Sequence, residues 1–264
     1  TGATSDKKYP LILFCHAGGF TGGSRLNVMS ISDKFADQGF IVAALDYRTG
    51  YAKGTPQNCS ADVFTMHNAF YRAVQDAKAC LRFLAANADT YNIDTNWIFI
   101  AGSSAGATLA MNTAHFDDAA AQQYFPASYD SLGSTETSGN AYPINYTLKG
   151  ICSMWGSLTS SDSLITANKN FPTILFRGEE DGGTPDSIGH FAYCPNYPIV
   201  VAAPAIYARL NSLGKPVVFH YLTNANHPAY DNEFCIKQVA CFFKAAMEGR
   251  SYSGKFLNYN ESCQ

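Results

Sequence analysis

The 264-residue chain is short of charge: Asp, Glu, Lys and Arg make up only 15% of it, with a net excess of three negative charges. That balance gives no electrostatic footing on nucleic acid or on an anionic membrane surface, and neither is expected as a partner. No apolar run approaches the roughly 18 residues that a membrane span needs. Residues 1–9 lack the apolar stretch of a signal peptide, so export implies a leader removed ahead of Thr1. No two cysteines are spaced C-x-x-C, which argues against a structural zinc site or a thioredoxin-like motif. No internal repeat or linker-like stretch interrupts the chain. The length suits one sizeable core, and a single domain over 1–264 is expected.

Hydrophobic residues, in contrast, reach 47%, the composition of a packed globular protein. Eight cysteines are many for a reducing compartment, so a secreted or periplasmic protein with some disulfides is expected. Cys15 and Cys152 lie in apolar, strand-like runs and read as free core residues. Cys59, Cys80, Cys194, Cys235, Cys241 and Cys263 are the disulfide candidates, with the last four expected to pair among themselves. Asn58, Asn145 and Asn260 each begin an N-x-S/T triplet.

Short apolar runs alternate with segments of helical period. Strands are expected at 11–15, 40–45, 97–101, 149–155, 172–177 and 216–222. Helices are expected at 24–38, 61–87, 107–113, near 202–213 and at 230–248. The clearest is 61–87, where Met66, Phe70, Val74, Ala77, Leu81 and Leu84 recur at steps of three and four. This alternation predicts an α/β fold, a mostly parallel sheet with helices on both faces. Residues 115–147 break the rhythm. A polar segment of that length reads as a lid or binding insertion, with an ordered surface excursion as the alternative.

The chemistry begins at Gly102-Ser103-Ser104-Ala105-Gly106, a G-x-S-x-G run between a strand and a helix-forming stretch. A turn this tight needs small residues around the nucleophile, and it lifts the Ser104 hydroxyl clear of the sheet. His16-Ala17-Gly18-Gly19-Phe20 directly follows the 11–15 strand. Its glycines allow backbone N–H groups to converge on a developing oxyanion. Gly18, Gly19 and Ala105 are the expected donors, with His16 a structural hydrogen-bonding residue. The spacing of 18–23 is Walker-like, but Ser24 and Arg25 stand where Lys and Ser/Thr are required.

A serine hydroxyl needs a base, and the base needs an orienting acid. His227 follows the 216–222 strand and Asp181 follows the 172–177 strand, which puts both at the sheet edge where Ser104 emerges. His67, His115, His190 and His220 compete as bases. Glu179, Glu180 and Asp186 compete as acids. Phe20, Tyr47, Tyr51 and Trp155 fall near strand ends and are candidate substrate contacts, with core packing the alternative.

Together these residues resemble the carboxylesterase and hormone-sensitive-lipase-like branch of the α/β-hydrolases, over about residues 9–248. His16-Ala17-Gly18-Gly19 matches that branch's His-Gly-Gly-Gly, and Asp46-Tyr47-Arg48 matches its Asp-Tyr-Arg. Ala17 departs from the pattern, as does Ser103, where the branch carries Asp or Glu. The segment Tyr71 to Asp76 looks like the helix preceding the elbow strand. The resemblance implies an α/β-hydrolase fold whose first strands would precede Thr1. It implies a serine carboxylic ester hydrolase acting through Ser104, His227 and Asp181, with no metal and no organic cofactor. Short-chain or aromatic esters, including polymer-linked ones, are the expected substrates. The alternatives are a catalytically inactive binding module or a serine peptidase of the same fold. An interfacial lipase ranks low, because 115–147 is mostly polar.

Overall fold

Leu11, Leu13 and Cys15 face one way and Ile12 and Phe14 the other, and all five are fully buried. A strand buried on both faces needs helices on both sides, and this one sits inside a parallel sheet. The computed structural model describes residues 7–55, 58–169 and 171–263; the reading that residues 1–9 are not a signal peptide falls mostly outside them. Ten strands run in chain order: β1 (Tyr9–Cys15), β2 (Ile41–Leu45), β3 (Ile93–Ser103), β4 (Leu148–Met154), β5 (Ser157–Thr159), β6 (Thr173–Gly178), β7 (Ile188–His190), β8 (Ile199–Ala202), β9 (Val217–Leu222) and β10 (Gly254–Leu257). Seven form one all-parallel sheet in the order β10-β9-β6-β4-β3-β1-β2. This is the α/β-hydrolase arrangement expected.

Helices α1 (Met29–Asp37) and α7 (Asn232–Met247) cover one face with Ile31, Phe35, Ile236, Val239 and Phe243. Helices α2 (Val63–Ala86), α3 (Ala105–His115) and α6 (Ala203–Ser212) cover the other with Met66, Phe70, Leu81, Leu109 and Ile206. Asp62 caps α2 through the Thr65 amide, and Asp231 caps α7 through the Phe234 amide. The helix expected at 24–38 is divided. Ser24 caps a 3₁₀ turn over Arg25–Val28, and only then does α1 begin.

Two features have no counterpart in the periodicity. β10 adds an edge strand beyond the last helix, and β5-β8-β7 makes a small antiparallel sheet. Both are built from three or four residues per strand, too few to show a period.

The 115–147 segment carries two short helices, α4 (Asp118–Tyr124) and α5 (Pro126–Leu132). It is strapped to α2 by three nearly inaccessible polar side chains. Gln75 Nε2 donates to the Leu132 carbonyl at 2.8 Å, Lys78 reaches Glu136 and the Phe116 carbonyl, and Arg82 reaches the Glu136 and Ser138 carbonyls. Buried donors are costly unless paired, so these pairs fix the segment's position.

The cysteine expectation needs correction. The disulfides are Cys59–Cys194 and Cys241–Cys263, while Cys80 and Cys235 are free along with Cys15 and Cys152. Cys194 pairs across 135 residues because the 51–61 loop packs on the loop carrying β7. There Ala61 N donates to Tyr197 Oη and Asn196 Nδ2 to the Cys59 carbonyl. Cys235 is fully buried in α7, with its side chain in the core against the sheet.

Replacing Arg82 by alanine should remove a buried side chain and leave two half-buried carbonyls without their donor, at a cost of roughly 2–4 kcal/mol, read from urea denaturation midpoints. Acid should also unfold the chain. Burial pushes His115 down to about 3, with the Lys169 charge adding to it, and pushes His220 down to about 4, against an ordinary 6.5. Between about pH 6.5 and 4 the unfolded chain binds protons that the folded one refuses. Stability therefore falls as pH falls, by about 1.4 kcal/mol per pH unit for each histidine. Denaturation midpoints at pH 7 and 4.5 should show that slope, and His115→Gln should reduce it.

Candidate active site

β3 ends at Ser103, and α3 begins at Ala105. The residue between, Ser104, is held at φ 55° and ψ −120°, a conformation that costs a non-glycine residue about 1–3 kcal/mol. The surrounding backbone makes it possible. A β-carbon on Gly102 would lie 2.2 Å from the Gly106 carbonyl oxygen, and one on Gly106 would lie 2.1 Å from the Cys15 carbonyl oxygen. Only glycines allow β1, the elbow and α3 to meet this closely. Ser104 N donates to the Met154 carbonyl at 2.9 Å, and the Ser104 carbonyl accepts from Thr108 N at 3.0 Å, starting α3.

The turn after β1 bends sharply through Gly18 (φ 131°), Gly19 (φ 61°) and Phe20 (φ 58°). The Gly18 carbonyl accepts from the Thr21 and Gly22 amides, which turns the loop back on itself. The amides of Gly18 and Gly19 donate to nothing among the described residues. Ala105 is the first residue of α3, where an amide has no intrahelical acceptor. His16 is buried and braces this turn. Its Nδ1 lies 2.6 Å from the Ala17 carbonyl, its ring stacks on Tyr47 at 4.2 Å, and its carbonyl accepts from Tyr47 Oη at 2.8 Å.

His227 and Asp181 arrive from the loops after β9 and β6. His227 Nε2 lies 2.8 Å from Ser104 Oγ, and His227 Nδ1 lies 3.2 Å from Asp181 Oδ2. The two loops are zipped together. The Glu179 amide donates to the Leu222 carbonyl, the Glu180 amide to the Ala225 carbonyl at 2.8 Å, and the Asn224 amide to Glu179 Oε2 at 2.9 Å. Asp181 is 1% exposed. Burial pushes its carboxyl up, but hydrogen bonds from His227 and the Gly183 amide, with the Arg177 charge, outweigh that and hold it below the ordinary carboxylate range.

The structure brings together Ser104, His227 and Asp181, with Gly18, Gly19 and Ala105 at the adjoining turns. It places the competitors elsewhere. His220 is buried in β9 with Nε2 3.1 Å from Ser262 Oγ, His190 Nδ1 lies 2.7 Å from the Tyr197 carbonyl, and His67 packs edge-on to Phe125. His115 is buried against Phe171. Asp186 is a surface partner of Arg177. Phe20 is buried against Phe70, and Tyr47 against His16. Tyr51 is half-buried, and Trp155 is 4% exposed. Arg177 went unnoticed in the sequence. Its buried guanidinium hydrogen-bonds Thr184, whose amide with that of Gly183 donates to Asp181 Oδ1. The available signal was a charge ending an otherwise apolar strand.

A cleft of about 410 Å³ borders the elbow, with Ala17, Ser103, Trp155, Pro228 and Asn232 in its walls. Another, of about 390 Å³, opens at the opposite ends of the strands beside Trp97, Lys149 and Pro216, away from Ser104.

Comparison with known proteins points the same way. The model of the BD-FAE family matches residues 1–145. Gut esterase 1 of Caenorhabditis briggsae is 32% identical over 106 residues, which is 39% of this chain and 18% of that protein. The chain thus matches less than a fifth of that relative's length. Among solved structures, Thermogutta terrifontis esterase 2 phosphonylated by cyclosarin superposes with a TM-score of 0.61 at 17% identity, over 95% of this chain and 87% of that one. A truncated carbohydrate esterase from gut microbiota gives 0.62 at 14% identity, over 92% and 87%. At these identities the two structures speak for the fold.

Gly106→Ala should force β1 and α3 apart and destabilise the chain by about 1–3 kcal/mol or prevent its folding. Thermal melts beside a control such as Gly22→Ala, where an added β-carbon meets nothing within 4 Å, would show it.

Proposed function

The chain belongs to the BD-FAE family, and on that premise we propose that it is a serine carboxylic ester hydrolase working through Ser104, His227 and Asp181. The observation that carries the reading is the continuous relay from Ser104 Oγ through both nitrogens of His227 to a buried Asp181 carboxylate. His227 takes the hydroxyl proton as Ser104 attacks the acyl carbon. The Gly18, Gly19 and Ala105 amides receive the oxyanion. His227 protonates the leaving alcohol, and the acyl-enzyme then yields to water activated by the same nitrogen. Asp181 stays ionised, fixes the imidazole's tautomer and stabilises its charged form. No step calls for a metal or an organic cofactor.

Short-chain or aromatic esters, including polymer-linked ones, are the substrates we propose. Esterase names recur among the relatives, and the phosphonylated Thermogutta enzyme carries its adduct on a similar fold. Two disulfides support a secreted or periplasmic setting, and no helix among the described residues is long and apolar enough to cross a membrane.

Hydrolysis of p-nitrophenyl acetate, butyrate and decanoate tests the reading. Wild type should favour the short chains. Ser104→Ala should lose at least about a thousandfold in kcat, and Asp181→Asn roughly 10²–10⁴-fold. Activity surviving Ser104→Ala would move the nucleophile elsewhere. A wild type inert toward all three would favour a peptidase or a binding module.

A further inference from the structure

Ser103 and Trp155 take part in no step of that reaction, yet they are bonded to each other beside it. Trp155 Nε1 donates to Ser103 Oγ at 2.9 Å. The indole centroid lies 6.4 Å from that of the His227 imidazole, with the planes at 73°. Trp155 itself is tightly held. Its amide donates to the Phe176 carbonyl at 2.8 Å, and its backbone sits at φ 48°, a region that a bulky side chain enters only under constraint. With 4% of its surface exposed, the ring has little room to leave.

The relay does not hold His227 alone. Hydrogen bonds at Nδ1 and Nε2, with the covalent tie through Cβ, set where the ring lies, but each hydrogen bond tolerates a range of angles. Contacts on the flanks narrow the tilt within that range. Gly183 stands near one side, since a β-carbon there would lie 3.7 Å from His227 Nδ1. The indole edge packing supplies a second contact. Resting on the ester-hydrolase reading, we propose that Trp155 is a positioning residue that sets the tilt of His227, and that Ser103 is its anchor.

This gives the residue before the nucleophile a task. Ser103 accepts the indole N–H without placing a negative charge beside the nucleophile. A carboxylate at 103 would accept the same bond but add a negative charge beside the nucleophile.

The test compares wild type with Ser103→Ala, Ser103→Thr, Trp155→Phe and the double variant Ser103→Ala/Trp155→Phe on p-nitrophenyl acetate. Stoichiometric p-nitrophenol release from paraoxon counts the competent sites in each. Ser103→Ala and Trp155→Phe should each lower kcat about tenfold, at unchanged KM and full site count, since one ring-fixing hydrogen bond is lost. The double variant should be no worse than Trp155→Phe alone, because both remove the same bond. Ser103→Thr should retain wild-type kcat. Wild-type kcat in either single variant, additive losses, a change confined to KM, or a loss matched by missing sites would overturn the positioning role while leaving the esterase reading intact. A wild type inert to both ester and paraoxon would overturn that reading, and this inference with it.

Discussion

The backbone of Gly106 lies against the carbonyl of Cys15, and the site is organised around that contact. It brings the first turn of α3 to the end of β1, so the Ala105 amide and the Gly18–Gly19 turn stand beside Ser104. Ser104 can be held in its strained conformation because the strands on either side and the helix after it leave the chain no other route. The strain is local, while the restraint is spread over β1, β3, β4 and α3. His16 and Tyr47 carry the same restraint outward by locking the turn after β1 from behind.

His227 and Asp181 depend on a second device. Their loops hydrogen-bond each other directly, so neither can move without the other. Arg177 sits beneath them as a buried cation, tied to the loop that carries Asp181. Its charge helps keep that carboxylate ionised despite burial. An unpaired carboxylate in this setting would be pushed toward neutrality. The balance between burial and hydrogen bonds is what makes Asp181 a fixed charge in the proposed reaction.

What was legible in the sequence was whatever repeats or punctuates. The heptad-like stripe of 66–84 gave α2, buried apolar runs gave the central strands, and glycine spacing gave the elbow. Ser104, His227 and Asp181 could be placed because each follows a strand, and parallel strands end at one edge. Short elements carried no period, so β5, β7, β8 and β10 did not register. Cys59–Cys194 was hidden for another reason: it reports a contact between two loops 135 residues apart, and no local pattern encodes that. Arg177 and Trp155 look like a stray charge and a core aromatic until the partners that give them meaning are in place.

The segment at 115–147 bears on what kind of esterase this would be. A lipase that opens at an interface needs a cover whose inner face is apolar and whose attachment is weak. Here the segment is polar, and three buried side chains of α2 hold its backbone, two of them cationic. Lifting it would expose Lys78, Arg82 and Gln75 without their partners, at a cost of several hydrogen bonds at once. The Cys59–Cys194 bridge in turn ties the loop after β2 to the turn between β7 and β8. With the Ser104–His227–Asp181 relay already in bonding distance, the proposed reaction needs no closing motion to assemble its catalytic groups.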